Sequence, residues 1–109
     1  MRTLRFVVDG QIITRDPNCD FSNLVPGTDG YLQAEFQFSS EWRPCKKVAA
    51  FYSMMGTEYA PQIIDEHNTC MIPAEALKRR NFKIRVFGKG PGLMLTTDKV
   101  LVQQIGGKT

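Results

Sequence analysis

The chain has 109 residues, the length of one domain of ordinary size, and we treat residues 1–109 as a single domain. Its hydrophobic fraction of 42% and charged fraction of 23% are typical of globular proteins and exclude a disordered chain. The formal net charge of +3 is low for a dedicated nucleic-acid-binding protein, so nucleic acid is not the expected partner.

Neither the apolar segments nor the cysteines suggest a membrane protein or a secreted protein. No apolar run approaches the roughly 20 residues that a membrane helix needs, and the apolar stretch 6–8 near the N-terminus is too short for a signal peptide. Cys19, Cys45 and Cys70 are odd in number and widely spaced, which is not a disulfide framework. We therefore expect reduced thiols and a soluble protein that is used inside a cell or leaves it by lysis.

The N-terminal part of the chain predicts a hairpin, a loop and a strand. Asp9-Gly10 lies between two apolar runs, a pattern that predicts a β-hairpin over residues 3–15 with a type I′ turn. Residues 16–30 are rich in Pro, Gly, Asn and Asp, and we expect a loop that folds its few apolar residues onto the core. Apolar and polar residues alternate from 31 to 38, which predicts a strand with one buried side.

The rest of the chain continues as short strands with one helical segment. Pro73 and the helix formers after it predict a short helix near residues 73–79, and Pro61 suggests that its strand lies at an edge. Strands are expected at residues 47–54, 58–64, 69–72, 82–87, 93–97 and 100–105. The last two form either a strand pair or one bent strand, followed by a tail at 106–109. About eight short strands, with turns at roughly ten-residue intervals, predict an all-β antiparallel sandwich or a small barrel.

The sequence offers little for catalysis or metal binding. Its one histidine, His67, lies in a predicted turn close to Cys70, and proximity in a turn does not make a catalytic pair. His67 and the three cysteines are zinc-ligand types, yet no two cysteines have the short Cys-x-x-Cys spacing of structural zinc sites. The glycine-rich segment 88–92 lacks the Gly-Lys-Ser/Thr ending of a phosphate-binding loop. We therefore expect a non-catalytic protein with no cofactor and no tightly bound metal.

Three patterns bear on binding. Trp42, the only tryptophan, is either a core anchor or an interface hot spot, where tryptophan is enriched. The densest basic region consists of Lys78, Arg79, Arg80, Lys83, Arg85 and Lys89. Lys83 and Arg85 share the outward side of their predicted strand with Phe87, which makes either a solvated strand face or a surface for single-stranded nucleic acid. Uncharged residues that the alternation turns outward are candidate contacts: Tyr31, Gln33, Gln37, Tyr52 and Phe87.

Several segments resemble small structural proteins of bacteriophages that infect Gram-positive bacteria. The similar segments are Phe36–Trp42, Lys47–Phe51, Cys70–Leu77, Val86–Gly88 and, within 96–107, Thr96-Thr97, Val100, Val102-Gln103 and Gly106-Gly107. The resemblance implies a head-fibre, tail or baseplate component, a group in which immunoglobulin-like sandwiches are common. It also implies a protein made in the host cytoplasm and located in the virion, with framework positions at Trp42, Phe51, Pro73 and Gly88.

Three functions follow as hypotheses. The first, which we expect, is a virion structural module that contacts other virion proteins or further copies of itself, as a homo-oligomer or symmetric assembly. The second is a small phage inhibitor that binds a host enzyme or a nucleic-acid-processing protein. The third is a nucleic-acid-binding barrel that uses the basic strand face. None of them involves a membrane.

Overall fold

The computed structural model describes residues 1–105, which form nine strands and two short helical turns. The strands are β1 (Arg2–Asp9), β2 (Ile12–Arg15), β3 (Leu32–Phe38), β4 (Lys46–Tyr52), β5 (Gln62–Ile63), β6 (Thr69–Met71), β7 (Asn81–Gly90), β8 (Leu93–Thr96) and β9 (Val100–Gln103). A 3-10 turn (Ser40–Trp42) precedes β4, and the one-turn helix α1 (Ala74–Leu77) begins directly after Pro73. The predicted all-β class and the short helix are confirmed, whereas the predicted tail at 106–109 lies outside the described residues.

The strands form two sheets that enclose a single apolar core. The first sheet has the order β2-β1-β3-β6, and the second has the order β5-β4-β7, with β8 and β9 both pairing with β7. Inward residues alternate with outward ones along the long strands, as the sequence pattern predicts. Buried side chains from both sheets join one cluster, which includes Leu4, Phe6, Val8, Ala34, Phe36, Phe51, Phe82, Ile84 and Val86. The molecule is therefore the predicted β-sandwich.

The first hairpin is confirmed, but its turn differs from the predicted one. Asp9 pairs with Ile12, so the two turn residues are Gly10 and Gln11. Gly10 has a φ of +61°, while Gln11 is not among the residues with positive φ. Positive φ at the first central residue alone is the pattern of a type II′ turn, which favours glycine at that position. The predicted type I′ turn is wrong because the loop lies one residue further along the chain.

One pair of strands corrects the prediction of an antiparallel sandwich. β1 and β3 run parallel, from Arg2 beside Leu32 to Val8 beside Phe38, while all other strand pairs among the described residues are antiparallel. A parallel pair needs a long crossover connection, and residues 16–31 supply part of it. Arg2 fixes this loop, because its guanidinium donates hydrogen bonds to the carbonyl oxygens of Asp20 (2.9 Å) and Ser22 (2.6 Å).

β7 is the central strand of the second sheet and pairs on both sides. Along one side it pairs with β4; along the other it pairs first with β9 and then with β8. The partner positions shift by one residue between Ile84↔Val100 and Phe87↔Thr96, which is the mark of a β-bulge. Residues 93–103 are therefore one bent strand, the second of the two predicted alternatives.

The bulge connects the two sheets. The Asp98 backbone N–H donates to the carbonyl of Gln11 (2.9 Å), and its side-chain Oδ1 accepts a hydrogen bond from the Ile13 N–H (2.9 Å). At the opposite side β5, which follows Pro61, is only two residues long and forms the edge of the second sheet, as predicted. No helix within residues 1–105 is long and apolar enough to cross a membrane.

Candidate interaction surface

The six contact residues predicted from the sequence lie in three separate places. Tyr31, Gln33 and Gln37 lie on or next to the outer side of the first sheet. Tyr52 and Phe87 lie on the outer side of the second sheet, and Trp42 lies in the core. The two outer sides face in opposite directions, with the core between them. The six residues therefore do not form one contact surface.

Trp42 belongs to the core. Its side chain is 0% exposed, and its indole N–H donates a hydrogen bond to the carbonyl oxygen of Gly10 at 2.8 Å. The indole also packs against the ring of Phe38, with 5.3 Å between ring centroids. Its interpretation as an interface hot spot is wrong, because the 3-10 turn directs the ring under the strands rather than outward.

Tyr52 is also less exposed than the strand alternation predicts. It lies on the outer side of β4, yet it is only 7% exposed. The ammonium group of Lys99, which follows the bulge, lies 4.1 Å from the centroid of the Tyr52 ring. The predicted exposure is wrong because the bent strand places a long side chain over the ring, which alternation within one strand cannot show.

The outer side of the first sheet is polar and electrically balanced. Arg5 and Glu35 form an ion pair at 3.2 Å, and the Gln33 side-chain amide donates to the Thr3 hydroxyl at 2.9 Å. Gln37 is exposed, and Tyr31, just before β3, is 50% exposed. Among the aromatic residues predicted as contacts, Tyr31 is therefore the most exposed to solvent.

The outer side of the second sheet is strongly cationic. Phe82, Ile84 and Val86 point into the core, so the intervening residues of β7 point outward. Lys46 is the cross-strand partner of Lys89, and partners in a sheet project to the same side. We call this surface the cationic face, and its charged members are Lys46, Lys83, Arg85, Lys89 and Lys99.

The cations of this face are not paired with carboxylates. Within residues 1–105 the ion pairs shorter than 4 Å are Arg5–Glu35 and Glu66–His67, both outside the face. Arg85 instead lies 5.9 Å from the Phe87 ring centroid, and its Nε donates to the carbonyl oxygen of Thr97. Acidic residues border the face at two places: Glu58, through its bridge to Tyr52, and Asp65 with Glu66, which line a cleft together with Lys46, Val48 and Ile63. The positive charge of this face is therefore not neutralised by paired carboxylates and can attract negatively charged molecules from solution.

An apolar row crosses the cationic face from strand to strand. Ile63 pairs with Val48, and Val48 with Phe87, so these three apolar side chains lie side by side on β5, β4 and β7, and Thr96 of β8 ends the row beside Phe87. Ile63 is 81% exposed, and Met94, opposite Lys89 in the adjoining row, is 76% exposed. Exposed aliphatic side chains inside a charged rim are typical of contact surfaces.

The edges at β2 and β5 are poorly suited to accept an additional strand. Asp98 occupies hydrogen-bonding groups of β2, and the side chain of Gln11 donates to the carbonyl oxygen of Thr96 at the end of β8. The edge strand β5 is very short and follows a proline, two devices that limit edge-to-edge pairing. A partner is therefore expected to meet the side chains of a sheet face rather than a strand edge.

The residues considered for catalysis are not assembled for it. Burial raises the pKa of the Cys70 thiol to about 12, so this thiol is protonated at neutral pH and is a poor nucleophile. His67 lies exposed in the turn before β6, with its Nε2 3.8 Å from Glu66. In the described part of the chain, no three His, Cys, Asp or Glu side chains are grouped to hold a metal ion.

A shallow cleft of about 320 Å³ lies beside the turn between β4 and β5. Its lining combines apolar and basic side chains: Ser53, Met54, Met55, Thr57, Tyr59, Arg79, Arg80 and Asn81. Met55 and both arginines are exposed, so the cleft lacks the enclosure that small-molecule sites have. The cationic face is the more extensive feature, and the sequence pointed to it through the basic residues Lys83, Arg85 and Lys89 and through Phe87.

Comparison with known protein families, with curated proteins and with solved structures finds no match to this chain. The immunoglobulin-like assignment and the phage resemblance therefore stay predictions from the sequence.

Proposed function

We propose that the chain is a non-catalytic binding module whose contact surface is the cationic face of the second sheet. One observation carries the proposal: cations without carboxylate partners among the described residues flank an apolar row that includes Ile63. Lys46, Lys89 and Arg85 lie in the rows next to it, and Lys83 and Lys99 lie further along the same face. Leaving so many like charges on one sheet costs stability, since their mutual repulsion is not offset by nearby acids. A partner that supplies negative charge offsets this cost.

The setting we propose is a multi-component assembly, and the resemblance over residues 36–107 favours a phage virion. A non-enzymatic role agrees with the protonated Cys70 thiol and the exposed position of His67. Mass spectrometry of purified particles tests the setting. We expect this chain at a stoichiometry comparable to other structural components, and its absence from particles would favour the inhibitor hypothesis.

Site-specific photocrosslinking tests the contact surface without knowledge of the partner. A benzophenone amino acid is placed at Ile63 or Met94 on the cationic face, and at Thr14 or Asn18 as controls elsewhere on the surface. All four residues are exposed, so the substitutions leave the core intact. We expect a discrete crosslinked product with a different protein of the source cell from the first two positions alone; a product with a second copy of this chain is counted separately.

Two results would contradict the proposal. Equal crosslinking from the control positions would show that contact is not confined to this face. Absence of any product at Ile63 and Met94, with efficient crosslinking at Thr14, would place the contact on the first sheet.

A further inference from the structure

We infer that the cationic face binds an acidic amphipathic helix of another protein, one with a narrow apolar stripe flanked on both sides by carboxylates. This inference rests on the proposed function and names the partner class. It is argued from the arrangement of charge, apolar surface and ring faces on the second sheet.

A second copy of the same face is excluded as the partner by its charge. In a symmetric dimer the same surface patch meets itself, so Lys46, Lys89 and the other cations of one copy would face those of the other. Like charges brought together in a desolvated contact strongly oppose association. The chain's own helix α1 is a single turn with one acidic residue in it, Glu75, and is too short to be the occupant.

Single-stranded nucleic acid is disfavoured by the state of the aromatic rings. Proteins that hold single strands use open ring faces on which bases stack. Tyr52 is nearly buried beneath the Lys99 ammonium group, and Phe87 is half-buried with the Arg85 guanidinium beside it. The rings of this face already have cations as neighbours, while its most exposed apolar groups, Ile63 and Met94, are aliphatic.

The dimensions of the face fit a helix lying along the apolar row. The apolar part of the row, from Ile63 to Phe87, crosses three strands. This is a span of roughly 10 Å at the usual strand spacing, which corresponds to about six or seven helical residues. Cations lie in the neighbouring rows on both sides, about 7 Å away along each strand: Lys46 and Lys89 on one side, Arg85 on the other. A helix about 10 Å wide would place its apolar stripe on the row and its flanking carboxylates over the cations.

Binding of synthetic probes tests the inference. The first probe is a peptide of about 14 residues, roughly four turns, built from Ala, Leu and Glu with the leucines on one helical stripe. The second has the same composition with the leucines distributed around the helix, and the third is an oligothymidylate of equal charge. Affinity is measured by fluorescence anisotropy with the full chain at about 0.15 M salt, and again at higher salt where surface charges are screened.

We expect the striped peptide to bind about tenfold more tightly than the peptide with distributed leucines, and to gain helical circular dichroism on binding. Paired Lys46→Gln and Lys89→Gln substitutions should weaken binding by about tenfold. The matched control pair, Arg43→Gln and Lys78→Gln, removes the same charge from exposed positions outside the face and should leave binding unchanged. Ile63→Ser, at a largely exposed site, should weaken the striped peptide alone.

The outcomes separate this inference from the proposed function. Equal affinity for the two peptides, or equal weakening by the control pair, would overturn the inference, because binding would then depend on net charge alone. Tighter binding of the oligothymidylate would replace the helix with nucleic acid and leave the cationic face as the contact surface. Failure of all three probes, together with crosslinking from Ile63 and Met94, would also reject the helix but retain the proposed function.

Discussion

At the scale of single residues, the contact between Trp42 and Gly88 leaves no room for a larger residue at position 88. A Cβ atom at Gly88 would lie 2.7 Å from Cζ3 of the Trp42 ring and 3.1 Å from Cβ of Cys45. The indole cannot move aside freely, because its N–H is bonded to the carbonyl of Gly10. Glycine in the middle of β7 therefore allows the strand to lie directly on the ring.

The variant Gly88→Ala should lose about 1–3 kcal/mol of unfolding free energy through overpacking. Urea denaturation measures the loss. The double variant Gly88→Ala/Trp42→Phe provides the control: the smaller ring leaves room for the methyl group, so the two losses should not add. Additive losses, or an unchanged midpoint in Gly88→Ala, would show that the ring is not held against the strand.

Asp65 organises the turn between β5 and β6 and makes stability depend on pH. Hydrogen bonds from the Thr69 backbone N–H, and further ones from the Thr69 hydroxyl and the His67 N–H, hold the pKa of this carboxyl below its ordinary value. A pKa lower in the folded than in the unfolded state contributes stability above the unfolded value. That contribution is lost as the pH falls through the folded pKa.

When the pH falls below the range in which carboxyl groups ordinarily titrate, the variant Asp65→Asn should therefore lose less unfolding free energy than the native chain. Urea denaturation at a series of pH values gives the comparison, and carbon NMR titration of the Asp65 carboxyl checks the direction of its pKa shift. Glu66→Gln, which removes the adjacent carboxylate, is the control and should retain the native acid dependence. If the stability of Asp65→Asn depended on pH in the same way as that of the native chain, Asp65 would not be the source of the acid dependence.

At the scale of elements, the bulge in residues 93–103 determines how the two sheets are joined. It turns Asp98 away from β7 and toward β2, where the side chain accepts a hydrogen bond from the Ile13 N–H. The bend also places Lys99 over the ring of Tyr52. One extra residue therefore closes a sheet edge and covers part of the outer side of the second sheet.

Removing the Asp98 side chain should release the Ile13 amide. In Asp98→Ala the hydrogen exchange of this amide should accelerate markedly, while amides of β7 stay protected, because the opening is local to the edge strand. Asp98→Asn keeps an acceptor oxygen and should preserve most of the protection. Native protection at Ile13 in the alanine variant would show that the β2 edge does not depend on this bond.

The sequence predicted most elements but not how they are arranged. Alternation identified β3 and β7 and their buried sides, since a half-buried strand needs only a period of two. It carries no strand direction, so the parallel pairing of β1 with β3 was missed. The cationic face was missed in part for a similar reason: Lys46 is distant in sequence from Lys89 and Met94, and it becomes their neighbour only through strand register.

At the scale of the whole molecule, the two outer surfaces differ in charge. The outer side of the first sheet pairs Arg5 with Glu35, whereas the cationic face is without such pairs among the described residues. The self-association expected from the size of the chain and its resemblance stays a prediction. If copies do associate, charge favours the first sheet and its exposed Tyr31 as the contact.

We therefore expect Tyr31→Asp to weaken self-association and Ile63→Ser to leave it unchanged. Sedimentation velocity over a concentration series measures both, with the native chain alongside. Both residues are largely exposed, so neither substitution disturbs the core. A native chain that stays monomeric at every concentration would end the self-association prediction, and a loss confined to Ile63→Ser would place the contact on the cationic face.

The parallel pairing of β1 with β3 also has a consequence for the order of folding. β1 is the earliest strand in the described chain, yet it lies inside its sheet, and one of its two neighbours forms only after the loop 16–31 has closed. Closing a loop costs chain entropy before any pairing repays it. The β1–β2 hairpin can form within about 1–10 μs, whereas folds dominated by distant strand pairs take about milliseconds to seconds. An isolated hairpin is only marginally stable, so we expect the β1–β2 hairpin to form and open repeatedly, with Phe6 and Val8 exposed, until β3 pairs with it.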